Sequence, residues 1–181
     1  MTPNFGTAIV RPTEPVTSGE IGAVTDEQLM AVAIDAAATV RTTTAPNPWV
    51  GAAILSSSGD VVTGATERPP GAHAEVVALG AARSAGIDVG GATVAITLEP
   101  CSHTGRTGPC ADALIEAGVA RVVVGVTDPD PRVSEAGLDR LRDARIDVVV
   151  GVASDAVEAQ LAPYLHHRRT GRPYVVVKLA A

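Results

Sequence analysis

The chain has 181 residues, 46% of them hydrophobic and 2% aromatic, with a formal charge of −6 at pH 7. That length suits one domain with a full core, and that hydrophobic share excludes a mainly disordered chain. The acidic balance argues against non-specific nucleic-acid binding, which needs a cationic surface to release counterions.

Residues 1–24 are rich in Pro, Thr and Gly without a sustained period and read as a mobile leader. They lack the basic start and unbroken apolar run of a secretory signal. With only two cysteines in the chain, this points to the reducing cytoplasm. No apolar run approaches the ~20 residues needed to span a bilayer. Thr25 with Gln28 forms a capping-box pattern, and the spacing Leu29, Val32, Ala33, Ala36, Ala37, Val40 predicts the first helix. Arg41 to Pro48 breaks it. Val50–Leu55 and Val61–Ala65 predict a hairpin around Gly59.

A second helix is predicted from His73 to Ser84 and a strand over Thr93–Leu98. A loop from Glu99 to Pro109 leads to a helix over Cys110–Ala117 and a strand over Arg121–Val126. The rest alternates: helix Glu135–Asp143, strand Ile146–Val150, helix Ser154–Arg168. Helices alternating with short Val-rich strands imply an α/β sheet covered on both faces, largely parallel in its later part.

The chemistry is concentrated in Ala72-His73-Ala74-Glu75 and in Pro100-Cys101…Pro109-Cys110. This is the ligand-and-acid pattern of zinc deaminases that act on nucleobases. Zinc suits mixed imidazole and thiolate donors, and a catalytic zinc keeps one of four positions open. His73, Cys101 and Cys110 supply three. His73 and Cys110 stand where helices begin, near positive dipole ends that favour thiolate. Glu75, two residues past His73, can handle the protons of a water beside the metal without binding the metal. The rival readings are a Cys101–Cys110 disulfide and a purely structural zinc with His103 as fourth ligand. The His-x-Glu pair opening a helix weighs for catalysis.

Five ordered blocks carry a resemblance: Ala45-Pro46-Asn47-Pro48-Trp49-Val50-Gly51, His73 to Leu79, Thr97 to Cys110, Asp128-Pro129-Asp130-Pro131 and Gly171-Arg172-Pro173-Tyr174-Val175. From about residue 26 onward the chain resembles the deaminase half of the bifunctional riboflavin-biosynthesis deaminase–reductase. The resemblance implies a three-layer α/β/α, cytidine-deaminase-like fold with a mixed, largely parallel sheet over residues 25–169. It implies a zinc-dependent hydrolase, with one Zn2+ per chain. The implied reaction removes the ring amine from 2,5-diamino-6-ribosylamino-4(3H)-pyrimidinone 5′-phosphate as ammonia, with Glu75 moving protons. Asn47 matches the position that orients the pyrimidine; its alternative is a turn residue between prolines. Arg106 and Thr107 match the phosphate-holding positions, and Arg suits phosphate oxygens. His103 is expected to touch substrate. Asp128 ends a strand where sheet proteins place ligand groups, or is an ordinary Asp before Pro.

The chain departs from the family at two points: Thr66 stands where a His is frequent, and Gly108 where Pro is usual. Residues 170–181 match the strand that opens the family's reductase domain. The chain is therefore expected to hold no NADPH site, as a truncated form or a stand-alone deaminase, with a second copy or a separate reductase as candidate partner. His166, His167, Arg168 and Arg169 read as a solvated helix end. Two rival functions remain. A deaminase of tRNA adenosine or free nucleosides commonly uses Cys-x-x-Cys, against the eight residues between cysteines here. The other is a non-catalytic zinc-binding subunit.

Overall fold

The computed structural model describes residues 9–10, 24–102, 108–130 and 135–179. The elements run β1 (Ile9–Val10), α1 (Asp26–Ala38), β2 (Gly51–Leu55), β3 (Val61–Ala65), α2 (Ala74–Ser84) and β4 (Thr93–Leu98). They continue with α3 (Cys110–Glu116), β5 (Arg121–Val126), α4 (Ala136–Asp143), β6 (Asp147–Val150) and α5 (Ser154–Thr170). The strands form one sheet in the order β1-β3-β2-β4-β5-β6.

The sheet is mixed. Its parallel part is the later one, β4-β5-β6, whereas β1-β3, β3-β2 and β2-β4 are antiparallel. Antiparallel pairs thus outnumber parallel ones, against the expectation of a largely parallel sheet. The cause is the hairpin of β2 and β3, which a short turn can only close antiparallel. It is inserted so that β2, not β3, meets β4.

Helices cover both faces. Gly51 pairs with Ala65 in the β2–β3 register, so these two point to the same side and Gly64 to the other. A Cβ on Gly51 would overlap the backbone of α1 at Ala33, and one on Gly64 the backbone of α2 at Ala74 and Ala78. Glycine at these two positions lets α1 and α2 lie close against opposite faces. α1 packs beside α5, while α2, α3 and α4 pack in series on the other face. The result is the expected α/β/α sandwich. Its core is made of Ala, Val, Leu and Ile, with Met30 the one buried methionine among the described residues.

The capping box at the start of α1 is formed, with Thr25 accepting from the Gln28 amide at 3.2 Å and Gln28 accepting from the Thr25 amide at 2.9 Å. Two expectations change at the ends. Ile9–Val10, inside the expected leader, pairs with Val61 and Val62 as an edge strand. The strand expected over 170–181 pairs with nothing among the described residues. α5 runs on to Thr170, Gly171 closes it in the left-handed region at φ 69°, and Val175 and Leu179 stand 75% and 90% exposed. An extended segment becomes a strand only beside a partner, and no described strand lies next to it.

Candidate active site and metal centre

The site lies where β4 and β5 end and α2 and α3 begin. β4 delivers Glu99 and Cys101 just past its last residue, β5 delivers Asp128, and the starts of α2 and α3 supply His73 and Cys110. Strand ends pointing at helix N-termini gather polar groups in α/β sheets.

His73 is the N-cap of α2, with extended backbone (φ −75°, ψ 161°) and no side-chain capping bond. Its imidazole is thereby turned off the helix. His73 Nδ1 lies 3.6 Å from Cys101 Sγ and 3.3 Å from Cys110 Sγ. The Cys110 amide, at the first turn of α3, donates to Cys101 Sγ at 3.4 Å. All three donor atoms lie within 4.8 Å of one another. Zinc bonds of about 2.3 Å to sulfur and about 2.0 Å to nitrogen give tetrahedral N···S edges of about 3.5 Å. The observed separations match those edges, so the donor set fits one zinc with a fourth position to spare. Both cysteines are free thiols, which removes the disulfide reading.

A shared hydrogen bond drives the two thiols apart in acidity. Cys101 is held well below the ordinary thiol value, first by the hydrogen bond from Cys110 and then by those from His73 and the Cys110 amide. Cys110 is pushed up by the same shared bond and by burial. His73 is raised, chiefly by its hydrogen bond to Cys101.

Glu75 stands in the first turn of α2, 3% exposed. Burial pushes its carboxyl up to about 7, against the pull of its own backbone amide and of His73. A carboxyl that titrates near neutrality can take a proton and give it back.

His73, Glu75 and Cys101 line a pocket of about 420 Å³ together with Asn47, Thr66, Glu99, Asp128, Tyr164 and Arg168. Asn47 therefore reaches the site, while its amide closes a turn on the Thr44 carbonyl at 2.8 Å. The Thr66 hydroxyl is engaged with the Val50 backbone, accepting from its amide at 3.1 Å and donating to its carbonyl at 3.3 Å. Thr66 thus braces the end of β3 against the start of β2. Asp128 is 6% exposed and faces the same space. His103, Arg106 and Thr107 lie outside the described residues.

Four pocket residues escaped sequence reasoning: Glu99, Asp130, Tyr164 and Arg168. Glu99 Oε2 accepts from the Asp128 amide at 3.2 Å and so ties the β4 and β5 ends together. Burial raises its pKa, and nearby backbone amides of Glu135, Asp128 and Gly137 oppose that. Arg168 is exposed near the end of α5, as expected, yet it also lines the pocket, 3.5 Å from Asp130 and 5.3 Å from the centre of the Tyr164 ring. The available signal was the spacing of Tyr164 and Arg168, four residues apart and so on one face of α5.

A three-layer α/β/α sandwich with an imidazole, two cysteine sulfurs and a buried carboxyl gathered at one end of its sheet is the architecture of the zinc-dependent deaminases. The chain belongs to the family described as the cytidine and deoxycytidylate deaminase zinc-binding region, whose model matches residues 23–126. It is similar to the riboflavin biosynthesis protein RibD of Escherichia coli, 49% identical over 156 residues, which cover 86% of this chain and 42% of that protein. The RibD of Corynebacterium ammoniagenes is 48% identical over 155 residues, 85% of this chain and 45% of that one. Among solved structures, Acinetobacter baumannii RibD superposes with a TM-score of 0.76 at 39% identity, covering 82% of this chain and 41% of that one. A Thermotoga maritima diaminohydroxyphosphoribosylaminopyrimidine deaminase/5-amino-6-(5-phosphoribosylamino)uracil reductase gives 0.76 at 35%, covering 82% and 42%. The chain thus spans less than half the length of these relatives. No helix among the described residues is long and apolar enough to cross a membrane.

Proposed function

We propose that residues 25–169 form a deaminase of riboflavin biosynthesis. Its substrate is 2,5-diamino-6-ribosylamino-4(3H)-pyrimidinone 5′-phosphate, whose ring amine is replaced by oxygen from water with release of ammonia. The observation that carries the reaction class is the cluster of His73, Cys101 and Cys110, with His73, Cys101 and buried Glu75 lining one pocket. The choice of substrate is supported by the likeness to RibD proteins across most of the chain.

His73 Nδ1 and the two sulfurs of Cys101 and Cys110 would hold the metal. Bound there, zinc supplies Lewis acidity that lowers the pKa of water toward ~7. Glu75 takes the proton of the attacking water and delivers it to the departing amine nitrogen, a task suited to a carboxyl pushed up to about 7. Asn47 orients the pyrimidine from the pocket wall, and Asp128 accepts from its donor groups. Arg106 and Thr107 take the phosphate, with His103 beside them touching the substrate. The free thiols suit the cytoplasm, and the candidate partners are a second copy of the chain and a reductase.

The test is ammonia release by zinc-loaded protein. Turnover of the pyrimidine phosphate should exceed that of cytidine or guanine. A preference for the free nucleoside or base would move the chain to the nucleoside deaminases, and zinc near one per chain without any turnover would make it a non-catalytic zinc subunit.

A further inference from the structure

Neither the metal nor its acid accounts for the contacts that α5 makes in the pocket wall. The Tyr164 hydroxyl donates to Asp128 Oδ2 at 2.8 Å, and the Asp130 amide donates to Asp128 Oδ1 at 2.9 Å. The Asp128 amide is anchored on Glu99 Oε2. Among the described residues each Asp128 oxygen is held by one donor, and a carboxylate oxygen can accept two. A buried carboxylate is costly unless it is hydrogen-bonded, and the Tyr164 hydroxyl provides that stabilisation from an element 36 residues away in sequence. Burial and the Asp128 charge raise the Tyr164 pKa, so the phenol stays protonated and remains a donor. Arg168 lies over the Tyr164 ring and pairs with Asp130, which braces both partners of the clamp.

We propose that Tyr164 is a positioning residue for substrate recognition. It aims the Asp128 carboxylate at N–H or O–H donors of a ligand rich in amino and hydroxyl groups, with Arg168 as its brace. This inference deepens the functional reading above and rests on it for the identity of the ligand. Tyr164 bonds to Asp128 and not to His73, Cys101, Cys110 or Glu75, so its loss should weaken binding and leave the chemical step alone.

The test compares zinc-loaded full chains carrying Tyr164→Phe, Asp128→Asn or both. Tyr164→Phe keeps the ring under Arg168 and removes one hydroxyl. It should raise KM for the pyrimidine phosphate roughly tenfold, as expected for a hydrogen bond to a charged group, with kcat within about twofold and zinc content unchanged. In the Asp128→Asn background the same change should have no further effect on KM. A crystal structure of substrate-free Tyr164→Phe should show the Asp128 carboxyl displaced. An unchanged KM, a full additive effect in the double variant, a joint fall of kcat, zinc content and melting temperature, or a carboxyl left in place each overturns the proposal. If the unaltered protein releases no ammonia from the pyrimidine phosphate, the functional reading fails, and the position of Asp128 in the crystal alone decides the role of Tyr164.

Discussion

His73 Nδ1 lies 3.3 Å from Cys110 Sγ, although 37 residues separate them in the chain. Both sit at helix starts: His73 as the N-cap of α2 and Cys110 as the first residue of α3. Removing the sulfur should therefore empty the metal site. Cys110→Ser is expected to lower zinc from near one per chain to well below that, measured by atomic emission after dialysis. Chelating zinc from the unaltered protein should lower its unfolding free energy by about 4 kcal/mol relative to free zinc at 1,000 times Kd. Chelation that left thermal unfolding unmoved would count against a bound metal.

Replacing Glu75 by Gln keeps the shape and removes the base. Zinc content and melting temperature should hold while ammonia release falls by roughly 10²- to 10⁴-fold, the usual contribution of a positioned proton-transfer group. Retention of full turnover would remove Glu75 from the mechanism.

Gly64→Ala tests how α2 is seated. The new Cβ would collide with the Ala74 carbonyl and the Ala78 amide, which belong to helix backbone and cannot rotate away. The cost is expected to be about 1–3 kcal/mol of stability, read by denaturant unfolding. Zinc affinity should weaken as well, because α2 carries both His73 and Glu75.

Tyr164 gives a signature at alkaline pH. Its folded pKa is raised by burial and by Asp128. The stability it contributes is therefore complete below the unfolded value of about 10 and is lost as pH rises above it toward the folded value. Between pH 9 and 11 the unaltered protein should lose stability more steeply than Tyr164→Phe. Parallel curves for the two proteins would contradict the buried, protonated phenol.

Local pattern was enough for most of the elements and for the metal donors. The apolar spacing of α1, the Thr25–Gln28 cap and the Val-rich strands are set by residues close in sequence, so they are legible one segment at a time. His73, Glu75, Cys101 and Cys110 were legible for a different reason: metal binding and proton transfer demand those side-chain types in short fixed spacings, whatever the rest of the sheet does. The sheet order was not. Nothing local says that β2 rather than β3 will meet β4, and this pairing is what gives antiparallel pairs their majority.

What the sequence by itself determined is thus the covered α/β sandwich, its element boundaries to within a few residues, and a zinc-binding triad with an acid beside it. What only the tertiary structure decided is the wall facing that triad. Glu99 tying β4 to β5, the Thr66 brace on Val50, and Tyr164 with Arg168 gripping Asp128 and Asp130 all join segments far apart in the chain. A hydrogen bond across such a distance leaves no periodic trace in either segment, because each residue meets its partner only after the layers between them have packed.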